Sequence, residues 1–320
     1  MASITRTAAQ TIVDLIYDDY AKANNEPPRG YLGMSGFATD CDRALWYGFR
    51  WAVDKEKFSG RMLRLFQTGH REEARMIDDL RRIGIEIEEW DPATGFQWAV
   101  RDSTGHMGGH MDGVAVEIPG VGRAVLEFKT HNETSYKSLV STGVKVSKPG
   151  HLRQMMLYMH FSGIHKAFYL AHNKNNDELY GEIIDYDPAV GQSLERRGQR
   201  VIKAQNPPAR LFEDPTSKAA YVCKMCNAFS VCHKGQFAKR NCRTCLHSTP
   251  ISDGEFHCAK FDEKPDRELQ ASGCEAHRYI PSLVPGKLKS TTDEFTVTYE
   301  LTSGGTFIDG PHDRLERLKC

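Results

Sequence analysis

Asp112, Glu127 and Lys129 are the side chains around which this 320-residue sequence can do chemistry. The stretches 110–118 and 124–129 alternate apolar and polar residues, so each reads as a strand, and Pro119-Gly120-Val121-Gly122 reads as a hairpin connection. Asp112 opens the first strand. Glu127 and Lys129 close the second, and their i, i+2 spacing puts them on one face. Carboxylate oxygens suit Mg²⁺ or Mn²⁺, and an ammonium beside them can orient a water or stabilise charge developing on a phosphate. This is the equipment of a metal-dependent phosphodiesterase. The plain alternative is a hairpin whose charges face solvent.

Further residues can join that site. His70 and Glu73 share one face of a helix at i, i+3 and can bring an imidazole or a third carboxylate to the metal. Spacing leaves open which of Glu72 and Glu73 points inward. Gln154 and Tyr158 stand at i, i+4 on another helix, where an amide can bind a phosphate or the attacking water and a phenol can stack on a base. Lys137, Lys145, Lys148, His151 and Arg153 form a basic set that can hold phosphates without reading sequence.

The elements that carry these residues follow from periodicity. Helices are expected over 6–22, over 36–47 with Ser35 as N-cap, over 61–83 before Gly84, over 151–161, and from Asp187-Pro188 to about Ala204. Strands are expected between Ile85 and Lys129, over 166–172 and over 179–186, with the polar turn 173–177 between the last two. Residues 132–139 read as a short helix or loop and 141–149 as a basic loop. This order fits a mixed α/β (α+β) sheet flanked by helices rather than a doubly wound sheet.

Composition constrains the rest. Lys+Arg and Asp+Glu are both 42, so nucleic acid would be held by a local groove and metal ions rather than by an overall basic surface. No apolar run approaches the roughly 20 residues that span a bilayer, and residues 1–7 lead into no signal-peptide core. A cytoplasmic protein with no membrane partner is the default reading, in which nine cysteines are more readily metal ligands than disulfides.

Gly69-His70 with Glu73, then 109–113 (GHMDG), then Glu127-Phe128-Lys129, then Gln154 with Tyr158 occur in that order, and together they resemble the motifs of the PD-(D/E)XK nuclease superfamily in its RecB-like exonuclease branch. The resemblance covers about residues 31–235. Met111 stands where the family name has proline. The resemblance implies a restriction-endonuclease-like core, with Asp112, Glu127, the Phe128 carbonyl and His70 or Glu73 as metal ligands, Lys129 positioning the hydrolytic water, and Gln154 and Tyr158 along a DNA groove.

The cysteines form two sets. Cys223, Cys226 and Cys232 follow a C-x2-C-x5-C spacing, and Cys41 is the remote cysteine left upstream. Three clustered thiolates and one distant one suit a [4Fe–4S] cluster, as in the iron–sulfur nucleases of AddB and CRISPR-associated type that the pattern resembles; Zn²⁺ is the alternative. Cys242, Cys245, Cys258 and Cys274 form a second set suited to structural Zn²⁺, with His247, His257 or His277 able to replace a cysteine, and free thiols as the alternative. Cys320 has no evident partner. The pattern over 295–309 is a hairpin signal.

The sequence therefore predicts a nuclease domain over 1–235 closed by an iron–sulfur cluster, a Cys-rich zinc module over 236–282, and a β-hairpin appendage over 283–320. The predicted activity is metal-dependent DNA exonuclease cleavage from single-stranded ends, in phage-type recombination, repair or replication, in the host cytoplasm if phage-encoded, with a recombination or replication protein as a further partner. A structure-specific endonuclease or nickase on the same core, and a non-catalytic DNA-binding module, are the alternatives.

Overall fold

The computed structural model of the protein describes residues 7–23, 27–292 and 296–310. Residues 1–6, Phe295 and Cys320 lie outside the described residues. The chain divides into two compact units, one of residues 1–28, 56–100 and 110–188, the other of residues 29–55, 101–109 and 189–320.

The first unit is built on a five-stranded mixed sheet. In chain order its elements are helix α1 (Ala8–Ala23), helix α2 (Gly60–Arg82), strands β1 (Ile87–Glu88), β2 (Gly113–Ile118) and β3 (Gly122–His131), helices α3 (Glu133–Ser147) and α4 (Pro149–Ser162), and strands β4 (Lys166–Asn173) and β5 (Leu179–Asp185). The strands lie side by side in that numerical order. β3 and β4 are parallel, and the other neighbours are antiparallel. A parallel pair needs a crossover, which α3 and α4 provide.

Alternation along β3 divides its side chains between two faces. Leu126 and Phe128 join Leu170 of β4 under Met76, Ile77 and Leu80 of α2 in one buried core. Glu127, Lys129 and His131 point to the opposite face, where α4 lies. α2 is capped by Ser59, whose side chain accepts from the Met62 amide, and Gly60 backs onto the Tyr17 carbonyl so closely that a Cβ has no room.

Two local expectations are corrected here. Residues 141–149 are helical rather than a loop. α3 runs to Ser147 through one non-helical residue, Gly143 (φ 71°, ψ 174°), and α4 starts at Pro149. Gly143 permits the left-handed backbone, and Glu182 compensates the break by accepting the Val144 amide at 2.8 Å. The helix expected over 36–47 is instead a 3-10 turn (Met34–Ala38) and a helix, Asp42–Phe49, with extended backbone at Thr39 and Cys41 between them. Cys41 is that helix's N-cap, and its sulfur accepts from the Ala44 amide at 3.4 Å.

In the second unit, helix Pro188–Lys203 lies against Met107 and Phe37 at Gly198. Trp46 donates its indole N–H to the Ala204 carbonyl at 2.8 Å. The expected C-terminal hairpin is present as strands Val297–Leu301 and Thr306–Asp309, and a third strand, Gly286–Thr291, extends it to a small sheet. Tyr299, Leu301 and Phe307 form its core with Val284. Among the described residues, no helix is long and apolar enough to cross a membrane.

Candidate active site

Asp112, Glu127 and Lys129 come together in the first unit. Asp112 precedes β2 by one residue, and its Oδ2 accepts the Phe128 amide at 2.7 Å, which fixes the carboxylate against β3. Lys129 Nζ is 2.5 Å from Glu127 Oε1 and 3.9 Å from Asp112 Oδ2. It also donates to the Phe128 carbonyl at 2.9 Å, so that oxygen faces the same group of side chains. The other oxygen of Glu127, Oε2, accepts from Gln154 Nε2 at 3.3 Å. Gln154 in turn donates to the Tyr158 hydroxyl at 2.9 Å, and Tyr158 donates to the His110 carbonyl at 2.6 Å. The i, i+4 pair on α4 therefore clamps Glu127 from one side and the chain entering Asp112 from the other.

The two neighbouring glutamates have different surroundings. Glu72 is engaged elsewhere, 3.4 Å from Arg75 and 3.5 Å from His172 Nδ1. Glu73 lies within reach of the charges of Asp112, His70 and Lys129. Burial raises its carboxyl above the ordinary value and the charge of Asp112 raises it further, while His70 and Lys129 partly offset both. His70 itself is exposed.

Electrostatics define what the cluster can hold. Glu127 is wholly buried, and burial pushes its carboxyl up to about 7 despite Lys129, with Asp112 and Glu73 adding to the rise. Burial opposes the charge on Lys129, but the three carboxylates outweigh it and hold the ammonium above its ordinary value. Three acids face one base in a partly dehydrated site, and Glu127 and Glu73 resist ionising there. A hard divalent cation with oxygen ligands is the group that fits such a donor set. Among the described residues, no three His, Cys, Asp or Glu side chains stand as an assembled metal-ion site; here the Lys129 ammonium is the counter-ion of both Asp112 and Glu127.

A polar network that periodicity could have revealed lies beside these residues. His131 continues the series 127, 129, 131 on the same face of β3. Its Nε2 is 2.9 Å from the Tyr169 hydroxyl, and His151 Nδ1 is 2.9 Å from the same oxygen. His131 Nδ1 is 3.2 Å from Ser135 Oγ, to which Lys148 donates at 2.8 Å. Burial, followed by the neighbouring lysines, depresses His131 to about 4. Burial likewise depresses His151 to about 3, with Lys129 adding to the effect. Both rings are neutral at physiological pH. Tyr169 faces Glu127 in the β3–β4 register, and burial and that carboxylate raise its phenol.

The basic set is not one patch. Lys148 belongs to this network, Lys137 is tied to Glu133 at 2.8 Å, Lys145 is exposed on α3, and Arg153 is half-buried on α4.

Both cysteine sets gather in the second unit. Cys41, Cys223, Cys226 and Cys232 line one cavity of about 20 Å³. Burial and the sulfurs of Cys41 and Cys232 raise the Cys223 thiol. Cys242, Cys245, Cys258 and Cys274 line another cavity, also of about 20 Å³. All eight are free of disulfides.

No protein-family model and no curated protein matches the chain. Among solved structures it is similar to an alkaline exonuclease from Laribacter hongkongensis, at 16% identity and a TM-score of 0.41, over 57% of this chain and 90% of that one. The same exonuclease in complex with dAMP gives 16% identity and a TM-score of 0.42 over the same shares. The structure of SSO0001 matches at 14% identity and a TM-score of 0.41, over 69% of this chain and 96% of that one. At such identities and scores, the site is read from its own residues.

Proposed function

We propose that this protein is a metal-dependent DNA exonuclease of the RecB-like PD-(D/E)XK type, acting on single-stranded ends. The observation that carries the reading is the convergence of Asp112, Glu127 and Lys129, with Glu73 within reach of their charges and the Phe128 carbonyl alongside. Asp112, Glu127, Glu73 and that carbonyl would hold Mg²⁺ or Mn²⁺. When bound, the ion supplies Lewis acidity toward the phosphate and a water of lowered pKa.

The chain's own residues do the remaining work. Lys129, held charged by its carboxylate neighbours, orients the water and meets negative charge that grows on the phosphate. Gln154 holds Glu127 Oε2, which leaves Oε1 facing Lys129, and Tyr158 ties that amide to the backbone that carries Asp112. Lys145, exposed on α3, and Arg153, half-buried on α4, would meet a strand's phosphates.

Cys41, Cys223, Cys226 and Cys232 would hold the [4Fe–4S] cluster as a structural staple, and the support is that four thiols line one cavity. Zn²⁺ on the same thiols is the alternative. A brown, iron-containing protein after anaerobic purification supports the cluster; a colourless protein carrying zinc there refutes it.

The deciding experiment incubates end-labelled single- and double-stranded DNA, and a circular single strand, with the protein and Mg²⁺ or Mn²⁺. Metal-dependent release of nucleotides from the linear single strand, absent in Lys129→Ala, is expected. Cleavage of the circle would make the enzyme an endonuclease. No cleavage of any substrate by folded protein would remove the catalytic reading.

A further inference from the structure

The carboxylate site makes no use of the second cysteine set. Cys242 and Cys245 sit at the ends of a tight 3-10 turn, closed by the Cys245 amide donating to the Cys242 carbonyl at 3.0 Å. Asn241 caps this turn by accepting from the Arg243 and Thr244 amides. Cys258 ends the three-residue strand Phe256–Cys258, where it pairs with Ser248. Cys274 follows helix Arg267–Ser272, and its carbonyl accepts from the His277 amide at 3.1 Å and from Arg240 at 2.7 Å.

Three separate pieces of chain thus deliver four thiols to one cavity of about 20 Å³, which His247 and His277 also line. The four thiols share the wall of this cavity without standing as an assembled metal-ion site, so an ion bound there would draw them together.

The segment also needs a staple. From Cys242 to Cys274 the buried apolar side chains are Cys245 and Phe256, and the regular elements are three to six residues long. Phe256 and Arg243 anchor the segment on Phe49, but the strand ends and the helix end that carry Cys258 and Cys274 add almost no core of their own, and no disulfide crosses them.

We infer that Cys242, Cys245, Cys258 and Cys274 form a structural Zn²⁺ site that holds the turn at 242–245, the hairpin at 248–258 and the end of the helix at 272 together. A CxxC knuckle with two single cysteines is a ligand set that tetrahedral Zn²⁺ accepts, at Zn–S distances of about 2.3 Å. Binding leaves the ion's charge unchanged, and each thiol that becomes a ligand releases one proton to solvent, so uptake is favoured as pH rises.

The test is independent of DNA cleavage. Zinc and iron are counted per chain, by elemental analysis and native mass spectrometry, in the full-length protein purified anaerobically, in Cys258→Ser and in Cys226→Ser. About one zinc in the wild type, lost in Cys258→Ser and kept in Cys226→Ser, is expected. Because Cys258→Ser can fail to fold, the wild type is also stripped with chelator and reloaded with Co²⁺. The absorption of a tetrahedral cobalt–thiolate centre is expected, and stoichiometric Zn²⁺ should bleach it. Wild type that holds no zinc and yields no cobalt–thiolate spectrum overturns the site, as does a zinc content that Cys258→Ser leaves unchanged in folded protein.

Discussion

Asp112 accepts the backbone amide of Phe128 at 2.7 Å, so the carboxylate before one strand is bonded to the residue between the two charged side chains of the next. The relative positions of Asp112, Glu127 and Lys129 are therefore set by backbone as much as by side-chain packing. A substitution can change the chemistry and leave the frame in place.

Asp112→Asn keeps an oxygen that can accept the Phe128 amide while removing the negative charge. Cleavage should fall by at least about a hundredfold, the scale of losing one charged group that stabilises a transition state, with an unfolding midpoint close to wild type. Single-turnover cleavage alongside thermal unfolding checks this. Near-normal cleavage would remove Asp112 from the site.

Glu127 gives a pH signature. Its carboxyl is pushed up to about 7 from an ordinary 4.5, so between those values the native state binds more protons than the unfolded chain. Its contribution to stability is therefore present at low pH and is lost as pH rises through that window. Glu127→Gln has no proton to lose there. In metal-free buffer, the wild-type stability minus that of Glu127→Gln should decline from about pH 4.5 to about pH 7 and then level off. Mg²⁺ added near pH 8 should raise the wild-type midpoint and leave the variant's unchanged. A flat difference across the window would contradict the buried carboxyl.

Tyr158→Phe removes the hydroxyl that links Gln154 to the His110 carbonyl and keeps the ring. Stability should drop by about 1 kcal/mol, the net worth of one such hydrogen bond. Turnover should fall more than substrate affinity, because the change loosens Glu127 rather than a DNA contact. Chemical denaturation with a KM-against-kcat comparison tests this, and an effect on KM alone would place Tyr158 on the substrate instead.

Gly143→Ala forces a Cβ into a left-handed conformation (φ 71°) and brings it to 3.4 Å from Glu182 Oε2. A cost of about 1–3 kcal/mol is expected from the backbone alone. An unchanged midpoint of unfolding would show that the α3–α4 junction relaxes into an ordinary helix.

Much of the site was legible because strand periodicity is simple. Residues two apart on a strand share a face whatever the tertiary context, so Glu127 and Lys129 were readable, and so in principle was His131. Glu72 and Glu73 are not separable from spacing, because neighbours on a helix differ by about 100°, and the groups that distinguish them, His172 beside Glu72 and the Asp112 charge acting on Glu73, come from elsewhere in the fold. Residues 141–149 are rich in Ser, Thr, Gly and Lys and were read as a loop. Yet a single glycine break, bridged by Glu182, lets two helices nearly abut. Cys41 was expected inside a helix, and the extended backbone before Asp42 made it the cap instead.

The Tyr169 hydroxyl lies 2.9 Å from one nitrogen of each of two uncharged imidazoles, and a hydroxyl has a single hydrogen to give. If it donates to one ring it must accept from the other, so the tautomers of His131 and His151 are coupled. Lys148 can only donate, and it donates to Ser135. The arrangement in which both hydroxyls give and take within the chain then runs one way: Lys148 to Ser135, Ser135 to Nδ1 of His131, Nε2–H of His131 to Tyr169, and Tyr169 to Nδ1 of His151. The far imidazole is left with its remaining proton on Nε2, an orientation set from a lysine four groups away.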